Sequence, residues 1–333
     1  MTQSNALTWL ECEWIPHTAF GSPVLGCTLF SRLVAELARR HGRSSVDAWL
    51  EGYVSGRPFL VVGDPRPKGY VPRPALAAHE FSGVSGIDAK ALKSRRWVKE
   101  RALQEPATAW LTHAVRDADL LEPASEGDAS NKLALLTLDD RTGFSERFER
   151  NTHCSLFNYG RVRWVIDVLI DVSRIAPADV LTALSSLGMV GHGAQAARGL
   201  GKFSLGGYQV KRWRSQPGDL VFCFGTSVPP MVPKSQGYDF ARYRPRVIRG
   251  WSGPSTAHDR IDHAKLPMLV AEAGALFHTG PVAATNFFGR GLGGPGEPLS
   301  RVDPSAVAQG YAPALWVALK QVASTSATRS ATA

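Results

Sequence analysis

Residues Gly188 to Leu205 carry glycines at Gly191, Gly193, Gly199 and Gly201, with Arg198 and Lys202 set among them. Glycine lets a backbone approach a phosphate closely and turn its N–H groups toward it, and the two cations add charge where the anion would lie. The stretch therefore reads as a loop that holds an extended, negatively charged chain, with an ordinary glycine-rich connection as the plain alternative. Gly191 to Ala196 also satisfies the G-x-G-x-x-[G/A] spacing of dinucleotide-binding turns, but such a turn follows a strand and opens a helix. Here a predicted helix precedes the loop and a predicted strand follows it, so no nucleotide cofactor is expected.

A second group of cations, Lys90, Lys93, Arg95, Arg96, Lys99 and Arg101, surrounds Trp97, with Glu100 as the one acid among them. Each phosphate that such a cluster neutralises releases counterions, so clusters of this kind dominate affinity for RNA and make it salt-dependent. Trp97 has two readings, a platform for a base or a core residue. A third group, Arg242, Arg244, Arg246 and Arg249 with Tyr238, Tyr243 and Trp251, has the same character and reads equally well as a basic surface loop.

Catalytic groups are sparser. His258 and His263 flank Asp259 and Asp262, but histidines five residues apart do not share a helix face, so no metal site is expected there. His153 beside Cys154 has no evident carboxylate partner. No G-x-S-x-G, Walker or zinc spacing occurs. His17 and His41, near the first loop and helix, are the residues that would serve as general acid or base in an RNA-cutting enzyme.

These residues need elements to hold them. Leu10, Cys12 and Trp14 alternate with Glu11 and Glu13, which predicts a half-buried strand over Ala6–Trp14. A glycine- and proline-bearing loop, His17–Gly26, follows. Leu29, Phe30, Leu33, Val34, Leu37 and Ala38 recur at helical spacing, with Thr28 as the expected N-cap and Gly42 as the stop. Val46, Trp49, Leu50 and Tyr53 predict a second short helix. Arg161–Asp171 predicts a strand, Pro177–Leu187 a helix ended by Gly188, and Lys202–Arg212 a further strand.

The middle of the chain thus repeats its opening order. Two β-α-β units suggest an α+β protein with two ferredoxin-like (RRM-like) domains, each a four-stranded antiparallel sheet backed by helices. The expected division is an N-terminal domain over 1–150 with a basic insertion around 75–130, a C-terminal domain over 151–323 with the glycine-rich loop, and a disordered tail over 324–333. Ala124 to Asn131 reads as a mobile connection. The chain has 333 residues, 44% of them hydrophobic, enough to bury a sizeable core, and its formal charge of +9 favours a polyanionic partner. Cys12, Cys27, Cys154 and Cys223 form no C-x-x-C pair and read as reduced thiols. With neither a signal peptide nor a run of about 18 apolar residues, a cytoplasmic protein without a membrane span is expected.

The loop from Gly191 and Gly193 through Gly199 and Gly201 to Lys202 and Phe203 resembles the glycine-rich loop of the CRISPR repeat-associated (RAMP) superfamily. Thr28-Leu29-Phe30, opening the first helix, is similar to the "T-L-F" start of that superfamily's backbone subunits. The proline-rich run Arg57–Pro74 resembles their "PPF…SD…P…G…P" segment, with the lysine-rich stretch Lys90–Trp97 after it and Gln309-Gly310-Tyr311-Ala312-Pro313 near the end. Where those proteins carry an acid before T-L-F and a glycine after it, this chain has Cys27 and Ser31. Together the patches resemble the 5′-tag-binding subunits of type III-A CRISPR (Csm) effector complexes; related subunits of other type III, type IV or type VII systems are the neighbouring possibilities.

That resemblance implies two ferredoxin-like domains, binding of the guide RNA's 5′ tag, and docking to a large polymerase-like subunit and to the first filament subunit, without cleavage or cofactor. By position it implies tag contacts at Gly191, Gly193, Gly199 and Gly201, phosphate pairing by Arg198 and Lys202 and by several of Lys90, Lys93, Arg95, Arg96 and Lys99, and His17 nearby. The alternative is a RAMP-type endoribonuclease that processes CRISPR RNA through His17 or His41.

Overall fold

The structure is a computed structural model that describes residues 6–82, 89–120, 159, 162–216, 218–230, 240–250, 265–279, 285–301 and 303–320. The chain opens with β1 (Thr8–Pro16), α1 (Gly26–His41), α2 (Arg43–Leu50) and β2 (Leu60–Val62). A segment of short elements follows: β3 (Arg66–Pro67), β4 (Tyr70–Pro72), α3 (Ala89–Ser94), β5 (Arg95–Lys99) and β6 (Ala114–Arg116). Then come β7 (Trp164–Ile170), α4 (Pro177–Val190) and β8 (Phe203–Val210). The last part is all strand: β9 (Leu220–Cys223), β10 (Ala241–Arg242), β11 (Pro245–Ile248), β12 (Met268–Ala271), β13 (Leu276–His278), β14 (Phe287–Gly293) and β15 (Val307–Val317).

The first sheet runs β2-β7-β1-β8, all antiparallel, with β3 added against β7. In β-α-β-β-α-β terms this is the ferredoxin-like order, with β1, β2, β7 and β8 as its four strands and α1 and α4 as its helices. The two β-α-β units are therefore two halves of one sheet, not one domain each. The physical reason lies in β1: its two edges take β7 and β8, so neither half can satisfy its backbone alone. The boundary expected at 150/151 lies outside the described residues, and the sheets do not divide there. The described residues between 63 and 163 instead form an insertion between the second and third strands, in which β4-β5-β6 make a small sheet of their own.

The second sheet runs β10-β13-β9-β15-β14. Taking β9, β10, β13 and β15 as first to fourth strands gives the same ferredoxin-like order, with β14 added beyond β15. The described residues of this unit contain no helix. A second small sheet, β11-β12, lies alongside.

Local readings shift for packing reasons. α1 starts at Gly26, and Thr28 sits inside its first turn, donating its hydroxyl to the Leu25 carbonyl at 2.8 Å. Gly42 caps the helix as expected, its N–H on Ala38 O at 2.9 Å. Gly188 does not end α4; it lets the helix lie on β8, where a Cβ would fall 2.1 Å from the Phe203 carbonyl, and Gly191 is the cap. Leu29, Phe30, Leu33 and Leu37 of α1 are buried, each worth about 1.5–3 kcal/mol of transfer free energy.

One apolar cluster joins the two units, running from Trp14, Phe30, Ile166 and Leu184 to Phe222, Leu276 and Leu315. Polar ties reinforce it. Gln309 accepts the Val62 N–H at 2.8 Å and donates to the Val62 carbonyl at 2.7 Å, and the Tyr311 hydroxyl donates to Tyr53 O at 2.6 Å. Cys12, Cys27 and Cys223 are buried free thiols, and Cys154 lies outside the described residues. No helix among the described residues is long and apolar enough to cross a membrane.

Candidate nucleic-acid interface

The polar face of β1 decides where a nucleic acid can lie. Glu11 was expected to face solvent; it is buried, because the insertion folds over that side of the sheet. Arg66 of β3 reaches Asp167 Oδ2 at 2.6 Å, Glu11 Oε2 at 2.5 Å and Glu100 Oε1 at 2.8 Å, and Lys211 joins Glu11 and Glu100 at 3.2 and 3.1 Å. Burial opposes the charge on Arg66, but the Asp167, Glu100 and Glu11 carboxylates outweigh it and hold its pKa above the ordinary value. Burial likewise opposes the Glu11 carboxylate, and Arg66, Gln209 and Lys211 outweigh it, leaving its pKa lowered. Glu11, Arg66 and Asp167 thus fill the face on which an RRM-type sheet stacks bases.

Residues 191–203 lie at the other margin, between α4 and β8. Gly191, Gly193, Gly199 and Gly201 have φ of 99°, 90°, 86° and 75°, and Gln195 between them has φ of 62°. Such left-handed positions favour glycine. At Gly201 a Cβ would also sit 2.0 Å from the His192 carbonyl, whereas at Gly199 the space is open. Close packing against the protein's own backbone therefore accounts for Gly201, a demand that spacing alone did not reveal.

The loop is sewn to the first loop, 17–25. Gly201 N–H donates to Ala19 O at 2.8 Å, His17 N–H to Lys202 O at 2.8 Å, Lys202 N–H to Thr18 Oγ1 at 2.9 Å and Ala194 N–H to Ser22 Oγ at 3.2 Å. His192 is buried beneath, its Nε2 3.2 Å from Thr28 Oγ1, and burial with Arg32 nearby pushes its pKa down to about 4, so the imidazole is neutral near pH 7. Arg198, Lys202 and His17 are exposed, on one margin of the molecule. His17 Nε2 lies 2.8 Å from Ser204 Oγ.

The second basic group falls on α3 and β5 of the insertion. Lys90, Lys93 and Arg96 are exposed, while Arg95 and Lys99 are partly buried. Trp97 belongs to the core: its ring meets Trp164 edge-on at 5.9 Å and its N–H donates to Asp117 at 2.7 Å. Of the third group, Arg242 pairs with Glu80 at 2.8 Å, and Arg244 and Arg246 share Glu272 at 3.4 Å each. Tyr238, Trp251, His153 and the His258–His263 group lie outside the described residues, as do Ala124–Asn131 and the 324–333 tail. Among the described residues no three His, Cys, Asp or Glu side chains gather as a metal site.

His17 precedes α1 and His41 ends it. His41 lies 3.7 Å from Asp179 and meets the Trp49 ring edge-on. Asp64 is the functional-looking residue that the motif reading left without a role. It is partly buried and accepts Gly26 N–H at 2.7 Å, Thr226 N–H at 2.9 Å and the Thr226 hydroxyl at 2.7 Å, tying the start of α1 to the second unit. Burial raises its pKa.

Two ferredoxin-like strand orders thus stand in one chain, joined through a shared core. No protein-family model matches the sequence, and a search of curated proteins finds no match. Among solved structures, the fold is that of the Csm4 chain in crystal structures of a Csm1–Csm4 cassette. The cassette in complex with one ATP aligns with a TM-score of 0.52 at 14% identity, over 95% of this chain and 100% of that one. The complex with pppApApA gives 0.52 at 14% identity with the same coverage, and the complex with cA3 gives 0.51 at 12% over 95% and 100%. At such identity the likeness establishes a shared fold.

Proposed function

We propose that this chain is a non-catalytic RNA-binding subunit of a type III-A CRISPR effector complex. In this reading it grips the 5′ tag of the guide RNA, caps the backbone, and docks a large polymerase-like subunit and the first filament subunit, working in the cytoplasm. The observation that carries the proposal is the glycine loop: a run of left-handed backbone that presents exposed Arg198 and Lys202 beside the exposed His17 margin of the first loop. The end-to-end match to a Csm4 chain crystallised with Csm1 supports the partner half of the reading.

Recognition follows from charge and shape. Cations on the loop take phosphates of a single strand, and Lys90, Lys93 and Arg96 extend the positive surface on the insertion. The buried ion cluster on the insertion-covered face of the first sheet leaves the loop margin, and not that face, to the strand. His17 belongs to this margin as a contact residue.

The test is binding of tag-bearing guide RNA, read by fluorescence anisotropy, to Arg198→Ala and Lys202→Ala proteins. A charge-assisted contact is worth roughly 1.5–3 kcal/mol, so each variant is expected to bind about tenfold or more weakly with an unchanged melting temperature. Unchanged affinity in both would overturn the assignment.

A further inference from the structure

A cavity of about 220 Å3 opens between the first loop, β5 and the β11–β12 sheet. It gathers cations that lie far apart in the sequence: Arg96 from the insertion, and Arg244 and Arg246 from the second unit. Tyr159, Trp164 and Phe224 give it an aromatic wall. Nothing in the spacing of the basic groups foretold this meeting.

The charges do not balance. Arg244 and Arg246 share one carboxylate, Glu272, at 3.4 Å each, and Arg96 meets Asp117 at the same long distance. Beside them Arg73 is buried, its guanidinium donating to the carbonyls of Arg95 at 2.8 Å and Pro74 at 3.2 Å. Burial, and then the neighbouring Arg244, push the Arg73 pKa down to about 10. Asp64, the remaining acid on the wall, is turned to Gly26 and Thr226. An anion with a flat apolar body is the ligand that answers both features.

Size and connection narrow the class. The cavity falls below the roughly 300 Å3 at which drug-sized and cofactor pockets begin, so a dinucleotide does not fit and a single base does. Ser22 Oγ accepts the Ala194 N–H of the glycine loop, and the next residues, Pro23 to Leu25, already line the cavity. The first loop therefore joins the glycine loop to the cavity. The Tyr159 hydroxyl accepts the Val24 N–H at 3.2 Å, which leaves its proton for a base edge.

We propose that this cavity takes one nucleotide of the bound strand, turned out of its stack, with the base against the aromatic wall and its phosphates on Arg244 and Arg246. The inference rests on the RNA reading of the glycine loop. It is tested with the 5′ segment of the guide RNA encoded by the host's own CRISPR repeat, scanned with one abasic nucleotide at a time and bound to the full chain. One abasic position is expected to cost about tenfold in affinity, as loss of a base–aromatic stack does. The penalty at that position should shrink in an Arg244→Gln/Arg246→Gln protein, and 2-aminopurine placed there should be quenched on binding to the wild type. Equal affinity for every abasic RNA, with the intact RNA still bound, would overturn the pocket and leave the glycine-loop reading standing. Failure of the wild type to bind the intact RNA would overturn both.

Discussion

His192 shows how a single side chain in the glycine loop couples folding to pH. Buried against Thr28, it has a pKa near 4, against about 6.5 in an unfolded chain. Between those values the unfolded chain takes up a proton that the folded chain refuses, so stability falls as the pH drops from 6.5 toward 4. The full window is worth about 3 kcal/mol at 1.36 kcal/mol per unit. Urea denaturation of the wild type and a His192→Gln protein at pH 7 and at pH 4.5 should show the larger acid loss in the wild type. Equal losses would mean that the imidazole is not held neutral. Arg198 and Lys202 differ from His192 in being exposed, so under the proposed reading their substitution is expected to change ligand binding more than stability.

Among the elements, β3 carries the heaviest electrostatic duty for its two residues. Arg66 joins Asp167 of β7 and Glu11 of β1 to Glu100 after β5, so one guanidinium pins the insertion to the first sheet. Removing it leaves buried carboxylates without their cation, a change that typically costs about 3–5 kcal/mol. Guanidinium denaturation of an Arg66→Ala protein should show a loss of that order, and a loss below about 1 kcal/mol would show that water replaces the cation without penalty. The same cluster explains why β1 reads as half-buried in sequence yet is buried on both faces: alternation of Leu10, Cys12 and Trp14 with Glu11 locates a strand, but not what covers its polar side.

The molecule as a whole folds as one body built from interleaved parts. The first sheet draws strands from 8–62 and from 164–210, and the shared core carries it into the second sheet. Fragments 1–160 and 161–333 should therefore fail to fold apart: the first keeps β1 and β2 but loses β7 and β8, and the second loses the strand between them. Circular dichroism and one-dimensional proton spectra of each fragment check this, with cooperative melting of either one as the contrary result. The full chain should unfold in a single transition.

Local chemistry was legible in the residues themselves. The strand–helix alternation, the cap at Gly42, the glycine loop with Arg198 and Lys202, and the basic run from Lys90 follow from periodicity and side-chain type, which act over a few residues, whereas the end of α4 falls at Gly191 and not at the expected Gly188. The repeat of β-α-β units was legible too, but not that the two units are halves of one sheet. Hydrogen bonding between β1 and β7 joins residues 150 or more apart, as at Thr8 and Ile170, and no local pattern encodes such a partner. The same limit hid the site's geometry. Trp97 became core because Trp164 packs on it; Arg96, Arg244 and Arg246 became one cavity because the insertion and the second unit meet there. Residue types set the available chemistry, and long-range pairing chose which residues share it.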